Sequence, residues 1–314
     1  MRTQGALSSQ ARRQISAACV SIAFLASAAG ATAQDAFRSR VDLVNVGVTV
    51  SDKKGALIQQ LTPDDFELYE DGAKQVVRYF AAGAAVTDAP VLHLGLLLDV
   101  SESMGEDLRF SKTASIKFLN TLTDAVDVTV VDFDTEVRTA RYSQSDFPRL
   151  VERIRLKKAG GSTALYDAIG TYLDGAAGQD GRKIMLLYTD GGDTRSSIQY
   201  RELLDLLKES DVTVYAIGEL EHQSSSTKSM QRAVLQQIAD VTGGQAFFPV
   251  DVKALDKAYE LVVAQIRAQY TLGYLSTNDK PDGTWRKVEV RLTRKDGHEL
   301  RLRSRKGYFA RFQK

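Results

Sequence analysis

The feature that constrains the fold most is an alternation, between residues 91 and 269, of apolar runs of strand length with segments of helical periodicity. Apolar side chains recur at steps of three and four residues in 110–122, 147–154, 165–172 and 255–262, which indicates helices. Apolar strands that alternate with helices are typical of a mostly parallel sheet covered on both faces. The sequence therefore predicts an α/β fold with a doubly wound, mostly parallel six-stranded sheet. Its candidate strands are 92–98, 126–132, 137–142, 183–189, 212–217 and 245–250.

The segments on either side of this region have the period-two pattern of β-strands. Valine occupies every second position from 44 to 50, which is typical of a half-buried strand. An Asp-Gly pair at 296–297 is a strong hairpin signal and predicts that the strands around it pair with each other. Further candidate strands are 66–70, 74–80, 270–275, 285–293 and 299–305.

The two flanking segments, 34–88 and 270–314, are too short to stabilise separate cores without disulfides or metal. The chain has one cysteine, Cys19, so no intrachain disulfide is available. We therefore expect the two segments to pack together as one flanking β domain. The α/β domain, 89–269, would be inserted in it.

Residues 1–33 have the pattern of a signal peptide. Three arginines precede an apolar stretch of small residues at 15–29, and Ala31-Thr32-Ala33 is a good cleavage site. The stretch is shorter than the roughly 20 residues that span a bilayer. We expect cleavage after Ala33 and a periplasmic or secreted protein. An uncleaved anchor is the alternative, and the pair Arg12-Arg13 leaves the choice between general and twin-arginine export open.

Composition excludes several classes of protein. The 314 residues are 43% apolar and 26% charged, which is ordinary for a globular protein and unlike disordered chains or coiled coils. The formal net charge is +1, so no global excess of positive charge drives binding to nucleic acid or to a membrane surface.

Short side chains that carry oxygen follow three of the predicted elements. Asp99, Ser101 and Ser103 follow the first strand of the α/β region. Asp190 follows the fourth strand, and Thr163 comes just before a helix. In doubly wound sheets, ligands bind beyond the carboxyl ends of the strands, where the strand order reverses. Two carboxylates with several hydroxyls, and no thiol or histidine pair, favour Mg²⁺, Mn²⁺ or Ca²⁺ over zinc.

The pattern Asp99-x-Ser101-x-Ser103, with Thr163 after a Gly-Gly pair and Asp190 in Thr-Asp-Gly, resembles the metal-ion-dependent adhesion site of von Willebrand factor type A domains. The resemblance covers roughly residues 91–269, and the flanks are similar to those of secreted bacterial proteins called VWFA-related. It implies a divalent cation, with Mg²⁺ expected, bound by the three hydroxyls while the two aspartates act through water. It also implies that an Asp or Glu of a protein partner completes the octahedron, usually without catalysis. The near-neutral net charge predicts no nucleic-acid partner.

Three other interpretations of these residues remain open. Ser101, Ser103 and Thr163 could cap helices. The same ion could serve a hydrolase, although the sequence places no histidine near either aspartate to act as a general base. The chain could also be a structural protein with a vestigial metal site. Metal-dependent adhesion is favoured because all five positions are filled and follow the expected order.

Other charged residues have weaker interpretations. Asp132 and Asp134 resemble the paired aspartates of haloacid-dehalogenase-like phosphatases, but Glu136 departs from that motif. Glu102 and Asp193 are candidates for a supporting role around the ion. The acids between 64 and 71 fit no EF-hand spacing, which favours solvated charges. Basic residues predominate after residue 281, where Arg301, Arg303 and Arg305 predict a cationic outer face that is either a solvated edge or a site for anionic polymer.

Overall fold

The computed structural model describes residues 43–83, 90–105, 107–294 and 300–310. The expected signal peptide and its cleavage site lie outside these ranges, as does the predicted turn around 296–297. Within the described ranges, no helix combines the length and the apolar character needed to cross a membrane.

The described strands fall into three groups along the chain: four before the central sheet, six in it and four after it. Helices α1 to α6 all lie in the middle part of the chain, between the first and the last group. In chain order the elements are β1 (Val44–Ser51), β2 (Phe66–Glu70), β3 (Ala73–Gln75), β4 (Val77–Ala82), β5 (Leu92–Asp99), α1 (Leu108–Thr121), β6 (Ala125–Phe133), β7 (Val137–Ser143), α2 (Phe147–Leu156), α3 (Leu165–Ala176), β8 (Arg182–Thr189), α4 (Tyr200–Glu209), β9 (Val212–Gly218), α5 (Ser225–Val241), β10 (Gln245–Phe247), α6 (Val252–Ala268), β11 (Tyr270–Tyr274), β12 (Trp285–Leu292), β13 (Arg301–Ser304) and β14 (Gly307–Phe309).

The central sheet has six strands in the order β10-β9-β8-β5-β6-β7, and β7 is the antiparallel one. Every residue of β5, β8 and β9 is buried because helices cover both faces of the sheet. Helices α1, α2 and α6 pack on one face, and α3, α4 and α5 pack on the other. The predicted fold class is thereby confirmed, and α4 and α5 add to the four helices expected from periodicity.

The strand order reverses between β5 and β8, which lie side by side in the sheet. From β5 the chain continues to β6 on one side, whereas from β8 it continues to β9 on the other. The loops that leave these two strands therefore diverge and open a crevice at their carboxyl ends. Asp99 is the last residue of β5, and Asp190 follows the last residue of β8.

The flanking segments form two further sheets, with orders β13-β1-β11-β4 and β14-β12-β2-β3. Each sheet combines strands from before and after the central sheet, as expected for a flanking β domain. The two sheets enclose a separate apolar core that includes Val48, Leu68, Leu272 and Val290. The exact boundaries of the domains stay a prediction.

The predicted C-terminal hairpin is wrong. Strand β12 pairs with β2 on one edge and with β14 on the other, whereas β13 pairs with β1 in the other sheet. Both edges of β12 are thus occupied, and β13 crosses to a strand that is distant in sequence. The Asp-Gly pair is a local signal, and the pairing is decided by the two-sheet core.

The predicted cationic face is confirmed only in part, since Arg301 is exposed whereas Arg303 and Arg305 are partly buried. On β12, the exposed Arg291 pairs with Glu289 at 2.7 Å and lies over the ring of Tyr69, so its charge is balanced. On β13, Arg303 is partly buried, and burial lowers the pKa of its guanidinium. The reason is that the end of β13 packs against Gly243, where a Cβ atom would lie 2.9 Å from the Cα of Ser304.

One acid expected to be solvated is buried instead. Glu70, at the end of β2, is 2% exposed and accepts hydrogen bonds from Tyr274 Oη at 2.6 Å and Tyr308 Oη at 2.9 Å. Ser276 Oγ donates a third hydrogen bond to the same carboxylate. Glu70 therefore joins strand β2 to the strands that return after the central domain.

Candidate metal centre

Three loops meet at the crevice between β5 and β8. The loop after β5 and the loop before α3 are joined by two backbone hydrogen bonds, from Glu102 N to Gly161 O at 3.0 Å and from Gly160 N to Val100 O at 2.9 Å. The loop after β8 joins them through Thr189, whose hydroxyl donates to Asp99 Oδ2 at 2.6 Å. The structure thus brings together the segments that carry all five predicted site residues.

Asp99 is fully buried at the centre of this arrangement. Its Oδ1 accepts hydrogen bonds from the backbone N–H of Ser101 at 2.9 Å and from the Ser101 hydroxyl at 2.6 Å. Burial raises the pKa of Asp99 to about 6, against these hydrogen bonds and that of Thr189, which lower it. The negative charge of Asp190 raises this pKa further.

The Ser101 and Ser103 hydroxyl oxygens lie 3.2 Å apart. Adjacent ligand oxygens around an octahedral Mg²⁺ ion are separated by about 2.9 Å, given metal–oxygen distances of about 2.1 Å. Ser101 is buried whereas Ser103 is exposed, so this pair leads from the interior of the crevice to its surface. The Ser101 hydroxyl donates to Asp99 and makes no capping hydrogen bond to the following short 3-10 helix, which contradicts the capping interpretation for this residue.

Thr163 is buried, and its backbone is held on both sides by Thr194. Its N–H donates to Thr194 Oγ1 at 2.9 Å, and its carbonyl accepts from the N–H of Thr194 at 2.9 Å. The cap residue of α3 is Ala164 rather than Thr163, so the capping interpretation does not apply here either. Thr163 is therefore fixed in place by the loop that follows Asp190.

Asp190 is 5% exposed, and both of its carboxylate oxygens accept hydrogen bonds from the protein. Gly192 N donates to Oδ1 at 2.8 Å, and Gln223 Nε2 donates to Oδ2 at 3.0 Å. The turn depends on Gly191, whose φ of 83° is unfavourable for other residues. Sequence reasoning missed Gln223, because no local pattern connects it with a residue 33 positions earlier.

The donor set fits a hard divalent cation. Ser101, Ser103 and Thr163 offer hydroxyl oxygens, while Asp99 and Asp190 offer carboxylates that protein donors already orient. Within the described ranges, no three His, Cys, Asp or Glu side chains form a metal-binding group, and this site has two carboxylates. Such a set suits Mg²⁺ or Mn²⁺, which retain several water ligands, better than it suits Zn²⁺. Zinc sites typically have three or four protein ligands of the His, Cys, Asp or Glu type.

The two candidate supporting residues differ. Asp193 Oδ1 accepts from Tyr166 N at 3.2 Å and from Ser196 Oγ at 2.5 Å, so it connects the loop after Asp190 with the start of α3. Glu102 is exposed, and its backbone N–H rather than its carboxylate joins the neighbouring loop.

Asp132 has a structural role rather than the role of a phosphatase aspartate. It is fully buried, and it accepts hydrogen bonds from Arg138 Nε at 2.9 Å, Arg153 Nε at 2.9 Å and Lys157 Nζ at 2.6 Å. Three cations hold the pKa of this carboxyl below its usual range despite burial. The cluster ties the end of β6 to the segment that leads to Thr163.

A histidine lies in the loop between β9 and α5. His222 precedes Gln223, and its Nε2 is 3.5 Å from Oδ1 of Asp107, at the start of α1. Asp107 is not one of the five site residues, so the sequence argument against a hydrolase, which was the lack of a histidine near Asp99 or Asp190, stays a prediction.

The chain is similar to several solved structures. No curated protein matches the chain. One similar solved structure is a von Willebrand factor type A protein from Catenulispora acidiphila, with 14% identity, 88% of this chain and 76% of that chain covered, and a TM-score of 0.48. A second is an aerotolerance-related membrane protein from Bacteroides fragilis, with 18% identity, coverages of 56% and 98%, and a TM-score of 0.46. A third is the vWF domain of the type V pili tip protein Mfa5 from Porphyromonas gingivalis, with 12% identity, coverages of 57% and 95%, and a TM-score of 0.47.

The sequence profile of one family, the von Willebrand factor type A domain, matches residues 93–261. The matched region begins within β5 and ends within α6, so it contains the six strands of the central sheet and all five site residues. Because the match extends over more than half of the length of this chain, the chain belongs to the von Willebrand factor type A domain family.

Proposed function

We propose that this protein is an exported binding module that holds an acidic group of a protein partner through a divalent cation. The cation would be bound by Asp99, Ser101, Ser103, Thr163 and Asp190. The observation that carries this proposal is the convergence of the three loops at the reversal of strand order, with two serine hydroxyls 3.2 Å apart. Membership of the type A family supports a binding module rather than an enzyme.

The hydroxyl and carboxylate residues of the site would have different roles. Ser101, Ser103 and Thr163 present neutral hydroxyls to the ion, which do not cancel its charge. Asp99 and Asp190 are held by protein donors and balance part of that charge from a fixed position. When bound, the ion supplies a positive centre that attracts an external carboxylate. Exposed Ser103 marks the side from which the partner's Asp or Glu approaches.

The proposed export rests on the sequence of residues 1–33. We propose removal of this segment and residence in the periplasm or outside the cell. Expression of the full chain in a bacterial host, followed by fractionation and N-terminal sequencing, tests this. A mature chain that begins at Gln34 supports export, whereas an intact N-terminus in the cytoplasmic fraction contradicts it.

Titration calorimetry with Mg²⁺ and Mn²⁺ tests the metal site directly. We expect saturable binding to the wild type and severe loss of affinity in Asp99→Ala, which removes one of two carboxylates. Asp205→Ala is the control, because this exposed residue pairs with Lys208 on α4 and should leave binding unchanged. If the wild type binds neither ion, or Asp99→Ala binds equally well, the proposed site is wrong.

A metal-dependent hydrolase is the second candidate function. His222 is its candidate general base, because it precedes Gln223, whose amide donates to Asp190. Assays of phosphate and carboxylate esters with Mn²⁺, comparing the wild type with His222→Ala, separate the two functions. Metal-dependent turnover that His222→Ala abolishes would establish the hydrolase. Pull-down of an envelope protein in Mn²⁺ but not in EDTA, without turnover, supports the binding module.

A further inference from the structure

The loop between β9 and α5 contacts the candidate metal centre at Asp190. Its residue Gln223 donates from Nε2 to Oδ2 of Asp190 at 3.0 Å. Gln223 is half-buried, and it stands outside the five-residue motif. Asp190 therefore depends on an amide that the motif does not contain.

The loop itself is anchored on both sides, so the amide of Gln223 has a defined position. Glu219 N donates to the carbonyl of Thr189 at 3.0 Å, which fastens the loop to the end of β8. Gln223 N donates to the carbonyl of Leu220 at 3.1 Å, which closes a turn. At its far end, Ser224 caps α5 by accepting from Thr227 N.

With these contacts, Asp190 is held at both oxygens by neutral donors, Gly192 N on Oδ1 and Gln223 Nε2 on Oδ2. These two hydrogen bonds fix the position of the carboxylate, and a shift toward an ion that takes it away from its donors would cost at least one of them. A net contribution of about 1 kcal/mol for such a bond corresponds to roughly a fivefold preference for the held position.

We infer that Gln223 is a positioning residue that keeps Asp190 from binding the cation directly, so that Asp190 acts through a water ligand. This inference rests on the proposed function. A directly bound carboxylate would cancel one charge of the ion and would occupy a position open to the partner. By holding Asp190 back, Gln223 preserves the charge and the open position for the external carboxylate.

Gln223→Leu removes the donor while keeping a side chain of similar size, and Gln237→Leu is the matched control. Gln237 is an exposed glutamine on α5 that accepts from Tyr200 Oη at 2.9 Å, remote from Asp190 in the hydrogen-bond network. Three quantities are measured on the intact protein. They are the Mn²⁺ dissociation constant by electron paramagnetic resonance, the water-proton relaxation rate per bound Mn²⁺, and the acetate concentration that half-saturates the Mn²⁺-loaded protein.

In Gln223→Leu we expect Mn²⁺ to bind as tightly as in the wild type or up to about tenfold more tightly, because Asp190 becomes free to bind the ion. The relaxation rate per bound Mn²⁺ should fall, since a bound water is lost, and acetate should bind about three- to tenfold more weakly. Gln237→Leu should leave all three values unchanged. Gln223→Glu, which replaces the donor by an acceptor, should shift the relaxation rate in the same direction.

A purely structural role for Gln223 predicts a different result, in which the Mn²⁺ and acetate affinities fall together at an unchanged relaxation rate. That result, or three unchanged values, overturns the inference while the proposed metal site stands. If the wild type binds no Mn²⁺, the proposed function and the inference fail together. Thermal unfolding of both glutamine variants shows whether the fold is intact.

Discussion

At the scale of single residues, the two aspartates of the candidate site differ in what surrounds them. Asp99 is enclosed by the serine and threonine hydroxyls of two loops, and burial raises its pKa to about 6. Asp190 is held by a backbone N–H and by a distant glutamine. The ion-free protein therefore carries an ionisable group whose charged form is unfavourable in the folded state.

This environment predicts a pH-dependent stability in EDTA. Below pH 3.8 the carboxyl of Asp99 is protonated in both the folded and the unfolded protein, so it carries no penalty. Between pH 3.8 and about 6 the unfolded chain loses this proton first, and the free energy of unfolding falls as pH rises. Above pH 6 the full penalty, about 3 kcal/mol, is present. Asp99→Asn removes it.

We therefore expect ion-free Asp99→Asn to be more stable than the wild type at pH 7.5 and similar to it at pH 4, measured by urea denaturation. Divalent ions should stabilise the wild type at pH 7.5 and leave Asp99→Asn unchanged. A variant that is less stable than the wild type at both pH values would mean that the charge of Asp99 stabilises the fold.

Thr163→Ala tests the hydroxyl ligands without a change of charge. Its backbone hydrogen bonds with Thr194 do not involve the side chain, so we expect the unfolding temperature to change little. Mn²⁺ affinity should decrease about tenfold or less, because one neutral ligand is replaced by water. The control is Thr171→Ala, whose hydroxyl donates to the Asp167 carbonyl within α3. Equal Mn²⁺ affinity in wild type and Thr163→Ala would remove Thr163 from the ligand set.

At the scale of elements, the loops between strands and helices decide the geometry of the site. Gly161, in the loop before α3, has a φ of 83°, and a Cβ atom there would lie 2.6 Å from Thr135 Oγ1. The same glycine accepts the hydrogen bond from Glu102 that joins two of the loops. The loop can therefore take this path only with glycine at this position.

Gly161→Ala should lower the free energy of unfolding by about 1–3 kcal/mol and weaken Mn²⁺ binding, because the loop that carries Thr163 must shift. Gly175→Ala is a matched control. Gly175 lies inside α3, and nothing lies within 4 Å of the Cβ it would gain, so this change should stabilise the protein by up to about 1 kcal/mol. Denaturation and Mn²⁺ titration of both variants decide the point. Unchanged metal binding in Gly161→Ala would show that the loop tolerates the shift.

The success of sequence reasoning also varied by element. The central strands were predictable because full burial leaves an apolar run. The places of Asp99 and Asp190 were predictable because these residues stand directly at strand ends. Gln223 and Thr194 were not, since their contacts with Asp190 and Thr163 join loops that are about 30 residues apart. The hairpin failed because an Asp-Gly turn signal says nothing about which sheet each strand then enters.

At the scale of the whole molecule, the buried carboxylate of Glu70 connects the segments that flank the type A domain. Tyr274 and Tyr308, which follow that domain in the chain, both donate hydroxyl hydrogen bonds to Oε2 of Glu70, which precedes it. The alternating arginines on β13 likewise gave no hint that the end of this strand packs against Gly243 of the type A domain, because periodicity alone cannot tell a solvated face from one that meets another domain.

Tyr274→Phe should destabilise the protein by about 1–3 kcal/mol, because it leaves a buried carboxylate short of one donor. Tyr69→Phe provides the comparison, since Tyr69 donates to the more exposed Glu67 at 3.0 Å and its loss should cost less than about 1 kcal/mol. Guanidinium denaturation measures both. If both variants lose the same free energy of unfolding, burial of the Glu70 carboxylate does not make its hydrogen bonds more stabilising than those of Glu67.

The chain leaves the flanking sheets at the end of β4 and returns at the start of β11, and these two points are paired, Ala82 opposite Tyr270. A force that pulls residues 43 and 310 apart therefore runs through the strands of the two flanking sheets. The type A domain is inserted between these paired strand ends, and it also touches the flanking sheets where Gly243 meets the end of β13. We expect such tension to load the strand pairs of the flanking sheets before it reaches the crevice between β5 and β8.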